Sequence, residues 1–180
     1  MNNKDQRIRL LRDVEANMVP SGDEITLVEG NLVQITQSLG GNHTVIINGN
    51  MAQISADNAD ALGLKIEERD SYQPNSDFSE QLVWDQLKTC YDPEIPVNIV
   101  ELGLIYDLSI LDSKDGEKSV TIMMTLTAPG CGMGPVIAGE VERKVGAINN
   151  VHDVKVELVW EPQWNQGMMS EAAQLELGMF

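Results

Sequence analysis

The sequence predicts an α+β chain in two parts. A small all-β domain of SH3-like barrel type spans residues 1–68, a linker spans 69–77, and a compact α-β-β-α-β domain spans 78–180. Three observations predict this. Between Val19 and Ile54, short β-branched runs alternate with Gly and Asn turns. Glu67 to Asp77 is polar around a central Pro74, as a linker is. Beyond it the apolar period switches from helical to alternating and back again.

Taking the elements in order, residues 4–13 are charged around Ile8, Leu10 and Leu11 and read as a short helix or an arm. Ile25 to Val28 and Leu32 to Thr36 read as strands about a turn at Glu29-Gly30-Asn31. Thr44 to Ile47 and Met51 to Ile54 flank Asn48-Gly49, the preferred two-residue hairpin signal. Asp57 to Leu64 reads as one helical turn closed by Gly63. Asp77-Phe78-Ser79-Glu80 has the spacing of a capping box. Phe78, Leu82, Val83, Leu87 and Cys90 then fall at helical spacing, and Pro93 should end that helix near Tyr91. Leu104 to Ile110 and Val120 to Leu126 alternate as an antiparallel hairpin. From Pro135 a helix should carry Ile137, Val141, Val145 and Ile148 on one face, with Asn149-Asn150 closing it. Val154 to Trp160 is a third strand, reached by a helical crossover and therefore parallel to the second. Ser170 caps a tail helix that ends before Gly178.

Composition narrows the function classes. A formal net charge of -16 argues against nucleic acid and anionic membrane surfaces, because both repel such a chain. The polar start, Met1 to Arg12, does not read as a signal peptide, and no apolar run is long enough to span a membrane, so a cytoplasmic location is expected. Two cysteines cannot build a disulfide framework. There is no HExxH, P-loop, GxGxxG or CxxC motif.

The strongest chemical candidate is Cys131, in the stretch Thr127-Ala128-Pro129-Gly130-Cys131-Gly132 between a strand and a helix start. Orphan N–H groups and the positive end of a helix dipole favour a thiolate there. Such a thiolate could hold a metal, bind sulfide or attack an electrophile. Asp92 and Glu94 bracket Pro93 and could act as oxygen ligands or proton acceptors, although taken alone they read first as a turn cap and a solvated carboxylate. Thr127 could hydrogen-bond across the turn, and Glu101 reads as surface. Cys90 fits the buried face of its helix. Trp160, Trp164, Met168 and Met169 read first as core cover and second as a partner surface. His43 reads as an exposed loop residue and His152 as a polar turn residue. One chain with two cysteines cannot hold an iron–sulfur cluster by thiolates alone, because such clusters ordinarily take four.

The run Cys90-Tyr91-Asp92-Pro93-Glu94-Ile95-Pro96-Val97-Asn98-Ile99 through Tyr106, together with Thr127-Ala128-Pro129-Gly130-Cys131, resembles the metal–sulfur cluster biosynthesis domain family. Met168-Met169-Ser170-Glu171, Leu175-Glu176-Leu177-Gly178 and the N-terminal β segment resemble its bacterial SufT-type branch, so the resemblance covers nearly the whole chain. Gly132 stands where the wider family has proline, and Glu161-Pro162-Gln163-Trp164 departs from its double-proline form. The resemblance implies an accessory factor in iron–sulfur cluster assembly or transfer to apo-proteins, not an enzyme. Its polar cluster falls on Asp92, Glu94, Thr127 and Cys131, with Cys131, Asp92 and Glu94 as ligands of a transient iron or iron–sulfur cluster and no stable cofactor. The implied partners are the assembly machinery and apo client proteins, with a homo-oligomer left open.

Two other readings compete. A client-binding adaptor would use Met168, Met169, Trp164 and the tail without touching metal. A cysteine hydrolase would need a base, and His152 lies a helix away, roughly 20 Å at 1.5 Å per residue.

Overall fold

The computed structural model describes residues 7–66 and 77–179, which fall into two compact units. The first holds residues 7–66 together with Pro93–Pro96, and the second holds 77–92 and 97–179. Most of the expected linker, 69–76, lies outside the described residues.

The first unit contains six strands: β1 (Arg7–Arg9), β2 (Val14–Val19), β3 (Glu24–Leu27), β4 (Leu32–Leu39), β5 (Asn42–Ile47) and β6 (Asn50–Ile54). They form one antiparallel sheet in the order β1-β4-β5-β6-β2-β3. This corrects the expected SH3-like barrel. Closure would require β1 and β3 to pair, and they stand at opposite ends of the strand order. Asn48-Gly49 closes the β5–β6 hairpin where expected, with Ile47 opposite Asn50. The core gathers Leu10, Val14, Val33, Val45, Ile54 and Leu62. Residues 4–13 read as a helix or arm, but their described part carries strand β1 at Arg7–Arg9, and β2 follows at Val14–Val19. Val14 and Ala16 are buried while Glu15 between them is exposed, the period of two of a half-buried strand. Ala56–Leu62 is a 3₁₀ helix closed by Gly63, and the Arg12 guanidinium clasps the Asp60 carboxylate on it with bonds of 2.7 and 2.6 Å. That fork holds the Asp60 carboxyl below its ordinary pKa.

The second unit carries helix α1 (Glu80–Leu87), β7 (Ile105–Asp112), β8 (Lys118–Met124), α2 (Gly134–Gly146), β9 (Val151–Leu158) and α3 (Glu171–Glu176). The three strands run β7-β8-β9, the first pair antiparallel and the second parallel, as the hairpin and crossover predict. Val120, Ile122 and Met124 are buried, and α2 buries Ile137, Val141 and Val145 and lies against β9 and α1. Helix α1 is shorter than its apolar spacing suggests. After Leu87 the chain tightens into successive turns, Thr89 N to Gln86 O and Cys90 N to Leu87 O, and then extends. Ser79 caps it without a side-chain bond, so the capping box does not form. In α3 the Ser170 hydroxyl does accept from Ala173 N at 3.1 Å, as a cap should.

Candidate functional site

The Cys131 turn follows from its sequence. Cys131 N donates to Ala128 O at 3.3 Å, Pro129 occupies the second position, and Gly130 takes φ +73° at the third. A type II turn asks for proline and a left-handed glycine at those two positions. A Cβ on Gly130 would meet no atom, so this glycine is present for its backbone angle and not for space. Gly134 N then donates to Cys131 O at 3.3 Å and α2 begins. Gly134 serves close packing: a Cβ there would lie 2.9 Å from Leu126 Cδ1 and 3.1 Å from Leu158 Cδ1. The helix start is thereby pressed onto the strand ends, with Met133 fully buried beneath it. Above it Cys131 is half-buried and Ala128, Pro129 and Gly130 are exposed, so the thiol sits on a raised shoulder of the unit.

The second element is the loop that leaves α1. Tyr91 and Asn98 bridge, and Ile99 N donates to Cys90 O at 2.9 Å, so residues 92–97 form a closed excursion. Asn98 organises its return. Its side-chain oxygen accepts from Val100 N and Glu101 N, both at 3.0 Å, and its carbonyl accepts from Leu102 N. Asp92, at the start of the excursion, is buried in the second unit. Glu94 is exposed and belongs with Pro93–Pro96 to the first unit, where the Thr44 hydroxyl donates to Pro93 O at 3.0 Å. Among the described residues no group of three or more His, Cys, Asp or Glu side chains could hold a metal ion. Cys131, Asp92 and Glu94 therefore do not form a ready-made three-ligand cage. Thr127 is half-buried at the root of the turn, four residues before Cys131.

The other candidates fall into place. The Trp164 indole N–H donates to Leu102 O at 2.7 Å, and Ser170 N donates to Glu101 O at 2.9 Å. The Tyr106 hydroxyl lies 2.7 Å from Pro162 O and 3.5 Å from Met168 Sδ. Met169 is buried. These residues strap the tail to the turn at 98–104 and are internal contacts. Trp160 is the reverse of its first reading: it is 42% exposed. Val159 N donates to Met124 O, which puts Trp160 at the same end of the sheet as the Cys131 turn. His152 pairs with Glu117 at 3.3 Å at the start of β9, where Val151 stands beside Lys118 at the opposite end of β8, so no base is delivered to Cys131. His43 bonds the Ser38 hydroxyl across β4 and β5. Sequence reasoning missed the role of Asn98, whose signal was an Asn after Pro-Val.

The two thiols differ sharply. Cys90 is fully buried, and burial pushes its pKa up to about 12, with Glu140 adding to the effect. Iodoacetamide at about pH 8 should label Cys131 and spare Cys90 in the folded protein, which peptide mass mapping would read. Equal labelling would contradict the burial. Because the folded pKa exceeds the unfolded one, the unfolded chain ionises Cys90 first, so this residue's contribution to stability should be lost as pH rises from about 9 to about 12.

Residues 80–158 match the model of a family described as iron-sulfur cluster assembly protein. The chain is 47% identical over 106 residues to the Fe-S protein maturation auxiliary factor of Porphyromonas gingivalis, covering 58% of this chain and 97% of that one. It is 41% identical over 88 residues to the Fe-S protein maturation auxiliary factor SufT of Staphylococcus aureus, covering 49% of this chain and 96% of that one. A crystal structure of a domain of unknown function, DUF59, from Bacillus anthracis superposes with a TM-score of 0.50 at 32% identity, covering 56% of this chain and 92% of that one. These matches take in almost all of each relative and leave much of this chain outside them, so the resemblance reaches less far than the sequence reading expected. On the strength of these matches, the chain belongs to the iron–sulfur cluster assembly protein family.

Proposed function

We propose that this chain is an accessory factor in iron–sulfur protein maturation, and that its Cys131 thiolate is a transient ligand for iron or a cluster in transit. The supporting observation is the contrast between the two cysteines: Cys131 is half-exposed on a Pro-Gly turn at the head of α2, while Cys90 is sealed. The names of the relatives support the pathway. Asp92 and Thr127 are the polar side chains of the same unit that would accept a proton or a hydrogen bond beside the cargo. Glu94 is not carried into this set, because it belongs to the other unit. One thiolate leaves most of a cluster's shell open. The remaining ligands must come from a second chain, a small thiol or the recipient, which suits release more than storage. Nothing in the proposal calls for catalysis of bond chemistry by the protein itself.

Anaerobic incubation with ferrous iron and sulfide should give thiolate-to-iron absorption that Cys131→Ala removes and Cys90→Ala preserves. Equal absorption from the wild type and Cys131→Ala would falsify the ligand role. The exposed Trp160 supports a second reading, an adaptor that grips a recipient through an aromatic anchor. In that case Cys131→Ser keeps recipient maturation intact and Trp160→Ala stops it.

A further inference from the structure

The first unit holds a feature that the thiol chemistry does not use. β3 ends the strand order, so one edge of Glu24–Leu27 has no strand beside it among the described residues. Next to it is a cavity of about 360 Å³ lined by Glu15, Asn17, Glu24, Thr26, Ser55 and Asn58. The register explains the lining. Asn17 stands opposite Glu24 and Glu15 opposite Thr26, so all four point to one face of the β2–β3 pair. Neither the Glu15 nor the Glu24 carboxylate has an ion-pair or hydrogen-bond partner among the described residues. Of the lining residues, Asn58 accepts from Arg12 through its side-chain oxygen, and the Arg12 charge is already matched by Asp60.

An open strand edge supplies backbone donors and acceptors and takes an extended chain in ladder pairing. Side chains of an added strand alternate, so every second residue would face the side that carries the two carboxylates. The geometry points to β3 as a docking edge for an extended basic segment of a partner polypeptide, with alternate Lys or Arg side chains entering the cavity between Glu15 and Glu24. The formal charge of -16 favours the same sign of partner at longer range. This assignment is independent of the Cys131 proposal, since every residue in it lies in the first unit.

The test uses the full chain and a labelled, end-blocked peptide of about ten residues with Lys at alternate positions and Val or Thr between, read by fluorescence anisotropy at about 0.15 M salt. The expected result is saturable binding, weakened roughly tenfold by Glu15→Gln with Glu24→Gln, the sum of two exposed ion pairs. Asp115→Asn with Glu142→Gln removes the same charge from exposed sites of the second unit and should leave binding unchanged. The same peptide N-methylated on the residues of its pairing edge should not bind. Three results would overturn the assignment: no binding, equal loss from both pairs of substitutions, or undiminished binding of the N-methylated peptide. The last two would reveal attraction to net charge without strand pairing.

Discussion

Gly103→Ala should destabilise the second unit by about 3 kcal/mol. Gly103 adopts φ +75°, a region that costs an L-residue roughly 1–2 kcal/mol. The added Cβ would also lie 2.8 Å from the Met168 carbonyl carbon, with the carbonyl oxygen closer still. That neighbour is backbone and cannot rotate away, and overpacking of this kind costs about 1–3 kcal/mol. The relief available is to lift the tail, which would stretch the Ser170 N to Glu101 O bond and the Trp164 bond to Leu102 O. Urea unfolding should show the loss. Hydrogen exchange at the Ser170 amide should quicken more than at Ile122 in the middle of β8. Gly116→Ala is the matching control, because Gly116 has φ +77° and a Cβ added there would have nothing within 4 Å. Its cost should be the backbone part alone. If the two substitutions cost the same, the tail does not press on Gly103 and the strap is weaker than described.

The strap shows where sequence reasoning stops. Local signals carried α2, because Ile137, Val141 and Val145 recur at helical spacing and all three are buried. They carried the β5–β6 hairpin through Asn48-Gly49, and the Cys131 turn through Pro129-Gly130. Other features depend on partners distant in the chain. Trp164 reads first as core cover and second as a partner surface, and its sequence does not name the carbonyl, Leu102 O, that accepts from its indole. Whether six strands close into a barrel depends on which two stand at the ends, and no single strand's pattern states that. Asp92 and Glu94 are two residues apart, yet they belong to different units, because the Pro93–Pro96 segment packs with the N-terminal strands. The missed strands β1 and β2 show a weaker limit. Arg7, Arg9 and Arg12 hid the alternation that Ile8, Leu10, Val14 and Ala16 carry.

Lys144→Met should cost a similar amount, about 3 kcal/mol, by a different cause. Lys144 Nζ lies 2.9 Å from Glu140 Oε1 one turn earlier on α2, and the side chains are only 14% and 8% exposed. The same ammonium donates to Thr89 O at 2.7 Å, two residues beyond the end of α1. Removing one partner of a buried pair strands the other charge, which typically costs 3–5 kcal/mol, whereas replacing both by apolar groups of similar volume is often close to neutral. The double variant Glu140→Leu with Lys144→Met should therefore recover part of the loss, since the Thr89 carbonyl still loses its donor. A urea double-mutant cycle should return a coupling well above about 1 kcal/mol, the level of exposed pairs. The neighbouring thiol gives a second readout. Cys90 follows Thr89 and stays sealed only while α1 and α2 hold together, so Lys144→Met should make it reactive toward iodoacetamide and the double variant should protect it again. Additive costs in the cycle, with Cys90 unreactive throughout, would mean that the pair is a solvated surface contact and that α1 is held in place by Val83 and Leu87 alone.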